Sequence, residues 1–313
     1  MITPCWDVLG IGIVAVDDLL TVESYPPSNT KTPVLEKSRQ GEGLTGTALV
    51  AASRVGARCG YGGVLGEDDL SNWTEKELER EGVDCSPVIR QADARPYHSI
   101  IVVDRTNHTR TIFYSGAGVA VRPVEEIKAS LISRARVFFM DHQGVGGMLR
   151  AACIAKELGI PTVADIESDE HPQTDELIER IEHLILSGDF AYQLTGKRDP
   201  VQAIESLPGY RACTAITAGK EGCWYISDEQ PGRVQHQPAF KVEVVDTTGC
   251  GDVFHGAYAA GIAWGWSVSK CICFASAVAA LKATKLGGRA GIPDRDTVFQ
   301  FLRAKGHRSF NSS

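Results

Sequence analysis

The chain has 313 residues and a mass of 33.8 kDa, and its content of 43% hydrophobic and 23% charged residues is that of ordinary globular enzymes. A formal net charge of −7, without any block of Lys or Arg, argues against a nucleic acid or an anionic membrane surface as the partner. Nine cysteines without zinc spacing, and no signal peptide or membrane span, predict reduced thiols and a cytoplasmic protein.

Short apolar runs alternate with helical stretches along the chain, and this order predicts the fold. The predicted strands cover residues 8–16, 60–65, 137–140, 162–165, 183–186 and 215–217. The predicted helices cover residues 46–55, 70–81, 146–158 and 174–181. Buried strands separated by helices indicate an α/β fold, in which helices flank a mainly parallel central sheet. Ligands of such folds bind at the carboxyl ends of the strands.

Two segments interrupt this alternation. Residues 17–42 are rich in proline and extended, while residues 95–115 alternate β-branched and aromatic side chains around the polar turn RTNHTR, a pattern typical of a hairpin. We expect the two segments to form a small β-sheet that acts as a lid over a single domain of residues 1–313. The alternative is that the hairpin only extends the central sheet.

The stretch VEVVDTTGCGDVFHGAYAAGIAWG combines a predicted strand at 242–245, a glycine turn and a predicted helix at 253–265. The glycines around Cys250 lie at a helix N-terminus, where free amides and the helix dipole can hold an anion. Asp252 beside them can take the proton of an alcohol, which is the arrangement that phosphoryl transfer requires. The alternative for Asp252 is an ordinary N-terminal cap.

The sequence DTTGCGD resembles the DTxGAGD signature of the ribokinase/phosphofructokinase-B family of carbohydrate kinases, and the resemblance extends over essentially the whole chain. It implies a ribokinase-like fold, a homodimer formed through the lid, and ATP, Mg²⁺ and K⁺ as cofactors. It also implies catalytic roles for Asp252 as the base and for the anion hole. The residues of the implied anion hole are Gly249, Cys250 and Gly251. The residues implied for the monovalent cation are Asp246, Thr248 and Gly288.

Cys250 replaces the alanine that is usual in this signature. A thiol at a helix N-terminus can have a lowered pKa, so one hypothesis is a reactive cysteine that bound ATP protects. The alternative, which we favour, is a small buried replacement for alanine.

Two further segments correspond to motifs with which the family binds the nucleotide and its metal. The segment TAGKEG resembles the nucleotide turn TxGxxG of the family, which implies ATP contacts from Thr217, Gly219 and Gly222. Ser187, a further candidate ATP contact, stands where the family has the Asn of its magnesium-organising NxxE element, and the Glu is also missing. Without that pair, we expect Mg²⁺ to be bound through water. The candidate carboxylates for it are Asp165, Glu167 and Asp189.

The residues expected at the sugar are fewer and less typical of the family. Asp17 ends a predicted strand and matches a sugar-binding acid, whereas its neighbour Asp18 is expected to be solvated. The segment GEGLTGTA matches the family's GGxxxNxA only in part. Gly43 and Thr47 are its candidate sugar contacts, with Thr47 in place of the usual Asn and Glu42 in place of a glycine.

The segments QHQPAFKV and GGRAGIPD resemble 6-deoxy-6-sulfofructose kinases within the family, and Lys31 matches a lysine expected near the sulfonate. Gln143 and Tyr114 stand where the other sulfonate contacts would be, and His142 is a further candidate contact. The substrate therefore stays open between a ketose, a sulfofructose-like sugar and a sugar acid. The alternatives are a nucleoside or vitamin kinase of the same fold and a sugar-binding protein with weakened catalysis.

Overall fold

The computed structural model describes residues 4–207, 209 and 211–310. Its strands, in chain order, are β1 Trp6–Ile11, β2 Ala15–Val22, β3 Glu36–Glu42, β4 Cys59–Tyr61, β5 Val64–Leu65, β6 Val83–Asp84, β7 Ile89–Arg90, β8 Tyr97–Asp104, β9 Thr109–Ser115, β10 Ala135–Asp141, β11 Thr162–Asp165, β12 His183–Ser187, β13 Cys213–Thr217, β14 Cys223–Ser227 and β15 Gln235–Gln237. Its α-helices are α1 Leu44–Arg54, α2 Asp69–Arg80, α3 Ala129–Ile132, α4 Val145–Leu158, α5 Thr174–Arg180, α6 Gly188–Thr195, α7 Pro200–Ser206, α8 Cys250–Ala263, α9 Val268–Lys282 and α10 Arg295–Ala304.

The main sheet has nine strands in the order β15-β14-β13-β12-β11-β10-β1-β4-β6, and all neighbours from β13 to β6 are parallel. Helices cover both faces. In β10, Val137 and Phe139 belong to the core on one side, and Phe138 and Met140 belong to the core on the other. All four side chains are fully buried, which explains why this strand is a continuous apolar run. The predicted α/β fold is confirmed.

Helix α8 lies between α1 and α9 on one face of this sheet. Its Ala and Gly residues allow close packing: a Cβ added at Gly256 would lie 1.9 Å from the carbonyl oxygen of Ala48 in α1. Nearly every residue from Val253 to Ala263 is buried. This packing fixes the position of the first turn of α8, where Asp252 lies.

A second sheet of four strands, in the order β3-β2-β8-β9, is separate from the main sheet, and we call it the lid sheet. The hairpin of β8 and β9 pairs with β2 and does not extend the main sheet. In the register of the lid sheet, Asp17 is paired with Gln40 on one side and with Ser99 on the other, so these side chains share one face. That face carries the contacts to the active site described below.

The structure differs from the prediction in three strands. The predicted strand at 8–16 is divided into β1 and β2, which belong to different sheets, and the predicted strand at 60–65 is divided into β4 and β5. The chain turns at Gly12, where a Cβ would lie 2.1 Å from both the Asp141 carboxylate and the Thr45 hydroxyl. The predicted strand at 242–245 is wrong. Val244 and Val245 are more than half exposed, and this segment pairs only with the end of α9 through the carbonyl of Ala283.

All nine cysteines are free thiols. Among the described helices, none combines the length and the hydropathy that crossing a bilayer requires.

Candidate active site

The start of α8 provides an anion site of main-chain amides. Gly249 is the N-cap, and its φ of +71° lies in the left-handed region that favours glycine. The amide of Cys250 donates to the carbonyl of Thr247 at 3.1 Å, so it is not free as the sequence predicted. The amides of Gly249 and Gly251 have no acceptor among the described residues. Two of the three predicted donors can therefore bind an anion.

Asp252 is half-buried in the first turn of α8, next to these amides. Burial raises the pKa of its carboxyl well above the usual value, and the nearby carboxylates of Asp165 and Glu42 raise it further. The Asp252 side chain caps no amide of its own helix, so it is not the N-terminal cap of the alternative interpretation. A carboxylate of raised pKa beside free amides is suited to accept a proton from a bound alcohol.

Cys250 points away from this anion site. Its Sγ lies 3.6 Å from the carbonyl oxygen of Ala279 in α9, and burial raises the pKa of the thiol, although the charge of Lys282 opposes the rise. The hypothesis of a lowered pKa is therefore wrong. Burial of the side chain outweighs the helix dipole, in agreement with a small replacement for alanine.

Asp246 holds the turn that precedes α8. Its Oδ1 accepts hydrogen bonds from the amide and the hydroxyl of Thr248, at 2.9 and 2.8 Å, and its Oδ2 accepts the amide of Gly287 at 2.8 Å. Burial favours a higher pKa, but these hydrogen bonds and the charge of Lys282 hold the pKa of Asp246 below its usual value. Gly288, the third residue predicted for the cation, instead donates its amide to Glu42 at 3.0 Å.

Lys282 is a site residue that the sequence reasoning missed. It is the last residue of α9 and is fully buried, and its ammonium donates to the carbonyl oxygens of Asp246 and Thr248. One signal was present in the sequence: Lys282 interrupts the apolar run of the helix FASAVAAL, where a lysine is rarely buried without a partner.

The lid sheet contacts the same region through two strands. On β9, Nη1 of Arg110 donates to the Thr248 hydroxyl at 2.8 Å. On β3, Glu42 accepts the amide of Gly288, and Gln40 lies so close to Gly287 that a Cβ there would be 2.4 Å from its amide oxygen. The sequence reasoning missed Arg110, which belongs to the polar turn RTNHTR. The lid sheet thus reaches the residues that position the anion site.

Asp17 and Asp18 lie on opposite faces of β2. Burial raises the pKa of Asp17, although a hydrogen bond from Ser99 and the charge of Arg289 oppose the rise. Asp18 is not the solvated neighbour that we expected. It is buried and forms an ion pair with Arg39 at 2.7 Å, and hydrogen bonds from Arg39 lower its pKa to about 2. Of the two, Asp17 shares the face of Arg110 and is the candidate for a ligand contact.

Glu42 and Arg289 form a buried cluster with Thr47. The guanidinium donates to the Thr47 hydroxyl at 3.2 Å and to the carbonyl of Glu42 at 2.9 Å. Burial raises the pKa of the Glu42 carboxyl to about 7, against the charge of Arg289. Thr47, predicted to contact the sugar, is fully buried with its hydroxyl engaged, so it presents no free group in this conformation. Gly43 is partly exposed at the N-cap of α1, with φ +93°.

Asp141 is another residue that was not predicted, and it positions the segments around it. It is fully buried at the end of β10 and accepts hydrogen bonds from the Ile13 amide, the Thr45 hydroxyl and the Gln143 amide, all at 2.7–2.9 Å. Three segments that meet at the cleft are thereby joined. A cavity of about 380 Å³ opens beside Gln143, between the N-terminus of α4 and residues 121–124 and 168–174.

Neither Lys31, predicted near a sulfonate, nor Tyr114, which stands where another sulfonate contact would be, forms an anion site. Lys31 is exposed in the loop between β2 and β3, and it has no ion pair or hydrogen bond with any described residue. Tyr114 on β9 is 77% exposed. Gln143 lines the cavity together with His142, but neither is accompanied there by a free cation among the described residues.

The predicted nucleotide turn follows β13 at the same edge of the main sheet. Thr217 ends this strand, and Gly219 and Gly222 both have positive φ, of +51° and +102°. A Cβ at Gly222 would lie 2.2 Å from the carbonyl oxygen of Gln237, so this position requires glycine. Ser187, at the end of the neighbouring strand, accepts the amide of Phe190 as the N-cap of α6.

Of the carboxylates predicted for magnesium, Asp165 and Glu167 lie close enough to Asp252 to raise its pKa, whereas Asp189 is exposed in the first turn of α6. Asp165 is buried, and burial together with the carboxylate of Glu167 raises its pKa well above the usual value. Its Oδ2 lies 3.2 Å from Nδ1 of His255, but that nitrogen points to the carbonyl of Gly251 at 2.8 Å. Within the described residues, no three His, Cys, Asp or Glu side chains converge on one metal position.

Comparison with known proteins identifies the family to which this site belongs. Residues 8–295 match the pfkB family of carbohydrate kinases. The chain belongs to this family. A ribokinase of Staphylococcus aureus is 26% identical over 300 residues, which cover 93% of this chain and 97% of that protein. A bifunctional ribokinase/ribose-5-phosphate isomerase A of Fructilactobacillus sanfranciscensis is 26% identical over 306 residues, and the match covers 94% of this chain but 56% of that protein.

A solved structure of a putative ribokinase from Agrobacterium tumefaciens has a TM-score of 0.84 and 27% identity, covering 96% of this chain and 98% of its own. The fold is thus ribokinase-like, with the small separate sheet included. As a member of the family, the chain is an ATP-dependent sugar kinase, a phosphotransferase with an alcohol group as acceptor. A particular closeness to sulfofructose kinases is not among these similarities, so that part of the resemblance stays a prediction.

Proposed function

We propose that this kinase transfers the γ-phosphoryl group of Mg·ATP to a hydroxyl of a neutral pentose or ketohexose. One observation carries the proposal: the half-buried carboxyl of Asp252, with its raised pKa, lies beside the free amides of Gly249 and Gly251. Asp252 takes the proton of the attacking hydroxyl, and the two amides stabilise the negative charge of the transferring group. A raised pKa brings the base closer to the working pH, which favours proton transfer.

The lid sheet completes the phosphoryl site in this proposal. Arg110 already reaches Thr248, two residues before Cys250, so its guanidinium is within the region that the triphosphate enters. A cation at this position neutralises charge on the phosphoryl oxygens, as arginines do in other phosphotransferases. Closure of the lid sheet excludes water, which competes with the sugar as the acceptor.

The nucleotide lies along the edge of the sheet between the anion site and the turn of Thr217, Gly219 and Gly222, where positive φ angles leave the backbone open to close approach. Mg²⁺ enters as part of the Mg·ATP substrate. The side chains of Asp165 and Glu167 fit water-mediated contacts with it better than direct ligation, because the Asp165 carboxyl is buried and its raised pKa favours the neutral form.

The charged groups at the end of the cleft where the sugar would bind, the sugar end, favour a neutral substrate. Asp17 and Glu42 are carboxyl groups there, and sugar hydroxyls donate readily to such groups. A sulfonate or carboxylate would meet these acids without a free cation among the described residues. Arg289 is engaged with Glu42 and Thr47, Arg110 donates to Thr248, and Lys31 is exposed in the loop between β2 and β3. On the face opposite to Asp17, the lid sheet exposes Ile100 and Phe113, and we propose the contact of the predicted homodimer there.

Sugar-dependent ADP release tests the substrate class. The panel contains ribose, fructose, 6-deoxy-6-sulfofructose, a sugar acid and a nucleoside, with Asp252→Asn enzyme as the background. We expect the highest kcat/KM for ribose or fructose. A higher kcat/KM for sulfofructose or the sugar acid would show that the site recognises an anion, and a preference for the nucleoside would move the chain to the nucleoside kinases; either result contradicts the proposal.

A further inference from the structure

Lys282 places a positive charge inside the protein, directly under the glycine turn. The residue has no exposed surface, and its ammonium donates to the carbonyl oxygens of Asp246, at 3.1 Å, and of Thr248. Burying an ammonium costs on the order of several kcal/mol unless the protein supplies hydrogen-bond acceptors and negative charge around it. An ammonium buried here therefore needs partners that compensate its charge.

The surroundings of the ammonium supply this compensation. The carboxylate of Asp246 is close enough for Lys282 to lower its pKa, and Glu42 from the lid sheet is affected in the same direction. Lys282 is also the last residue of α9, where the helix dipole favours a cation. Two carbonyl oxygens, a helix C-terminus and a carboxylate form an environment of the kind that binds a monovalent cation.

Asp246 and Thr248 were predicted, together with Gly288, to bind K⁺, but the oxygens of Asp246 and Thr248 do not fit this role. Every oxygen of Asp246 accepts an N–H or O–H group: the carbonyl oxygen from Lys282, Oδ1 from Thr248 and Oδ2 from Gly287. The carbonyl oxygen of Thr248 accepts the ammonium as well. A bare cation needs several oxygen ligands that do not already accept hydrogen bonds. The oxygens of Asp246 and Thr248 in this turn already accept them.

We propose that the ammonium of Lys282 is a built-in monovalent cation, so that this kinase does not require K⁺. Lys282 acts as a positioning residue: by binding two carbonyls it holds the chain from Asp246 to Thr248 so that the amides of Gly249 and Gly251 face the phosphoryl group. The functional part of this inference rests on the proposed phosphoryl transfer. The structural part, a carbonyl pair held by an internal ammonium, does not depend on the substrate.

The wild-type protein provides the first test. Its thermal unfolding and its binding of a non-hydrolysable ATP analogue with Mg²⁺ are measured in chlorides of K⁺, Na⁺ and tetramethylammonium at equal ionic strength. A specific cation site would raise Tm and affinity saturably with K⁺ by mass action. We expect less than about a twofold difference in affinity among the three salts, since the oxygens of Asp246 and Thr248 already accept hydrogen bonds. Saturable stabilisation by K⁺ alone would overturn the proposal.

Two variants separate the charge from the packing. Lys282→Met keeps most of the side-chain volume but removes the ammonium, whereas Lys282→Ala also leaves space for an ion. We expect the analogue to bind about tenfold more weakly to both variants, as for the loss of a charged hydrogen-bond donor. K⁺ or ammonium ions should restore binding to Lys282→Ala and not to Lys282→Met. Lys156→Ala, which removes an exposed lysine near the end of α4, is the matched control.

The outcomes distinguish this inference from the proposed function. If both Lys282 variants bind the analogue as tightly as the wild type in tetramethylammonium chloride, the ammonium has no positioning role and the proposal fails. If the variants do not fold, the salt series on the wild-type protein still decides. If the wild type binds no nucleotide in any salt, the proposed function fails, while the dependence of its Tm on K⁺ continues to test the built-in cation.

Discussion

The two ends of the cleft are built in different ways. At the phosphoryl end, main-chain groups do most of the binding, and Asp246 and Lys282 hold this backbone in place. At the sugar end, side chains from the lid sheet and its neighbours supply the charge, among them Asp17 and Glu42. A site made of main-chain amides depends on the backbone conformation of the glycine turn. A site made of side chains, in contrast, can be altered by substituting one residue at a time. Substitutions at the phosphoryl end should therefore affect the chemistry, and those at the sugar end should affect recognition.

The largest effect that this comparison predicts follows from Asp252→Asn. The amide has nearly the same shape but cannot accept the proton, so we expect kcat to fall by about 10³-fold or more, while binding of ATP stays unchanged. Coupled-assay kinetics with the best sugar and calorimetry with the ATP analogue measure the two quantities.

Asp296→Asn is the matched control for this change, because Asp296 also lies in the first turn of a helix, α10, but is exposed and remote. It should leave kcat unchanged. A turnover of the Asp252→Asn enzyme within a few-fold of the wild type would remove the assignment of the base, and with it the difference between the two ends.

The next effect concerns the place where the lid sheet meets the phosphoryl end. Arg110→Met removes the guanidinium that donates to Thr248, and we expect kcat to fall about ten- to a hundredfold with little change in the KM of the sugar. Arg105→Met, on the same hairpin, is the control, since Arg105 is paired with Glu23 at the surface. If KM rises instead of kcat falling, Arg110 belongs to the sugar end and the proposed division is wrong there.

The sugar end is tested by two neighbouring aspartates on opposite faces of β2. Asp17→Asn should raise the KM of the sugar about tenfold or more, because a hydrogen bond to a charged acceptor is lost, with kcat less affected. Asp18→Asn should leave KM unchanged but lower the free energy of unfolding by about 1 kcal/mol, since it breaks the partly exposed ion pair with Arg39. Equal effects of both variants on KM would show that the face of β2 does not decide sugar recognition.

The same contrast explains which features could be predicted from the sequence. The start of α8 and the position of Asp252 were predictable because glycine spacing and an apolar helix determine local backbone geometry. The separation of the lid sheet followed from the polar turn between two alternating runs. The strand expected at 242–245 was wrong because β-branched residues indicate a strand only where neighbouring strands are available, and this segment pairs with a helix end instead.

The side chains that complete the site were less accessible to such reasoning. Lys282 lies 36 positions from Asp246, and the Arg289 guanidinium lies 247 positions from the Glu42 carbonyl that it contacts. No local pattern relates residues at such separations, so these contacts exist only in the folded chain. Thr47 and Cys250 are similar cases: their positions in the motifs were identified, but their burial was not, and burial is what removes them from direct chemistry.

The last effect we predict leaves turnover aside: a pH dependence of stability that originates at Glu42. Burial raises the pKa of this carboxyl from 4.5 to about 7, so the folded state holds the proton more tightly than the unfolded state. The contribution of Glu42 to stability is therefore fully present below pH 4.5 and is lost as pH rises toward about 7. Within this window, the free energy of unfolding should fall by at most about 1.4 kcal/mol per pH unit.

Glu42→Gln removes this titration while keeping the size of the side chain, so urea unfolding between pH 4.5 and pH 7 should give a flatter dependence for the variant than for the wild type. Glu157→Gln, an exchange on the exposed side of α4, is the control and should keep the wild-type slope. Parallel curves for wild type and Glu42→Gln would mean that Arg289 keeps the carboxylate ionised throughout. The sugar end would then carry a stable buried ion pair, and a charged Glu42 would repel an anionic substrate at every pH in that range.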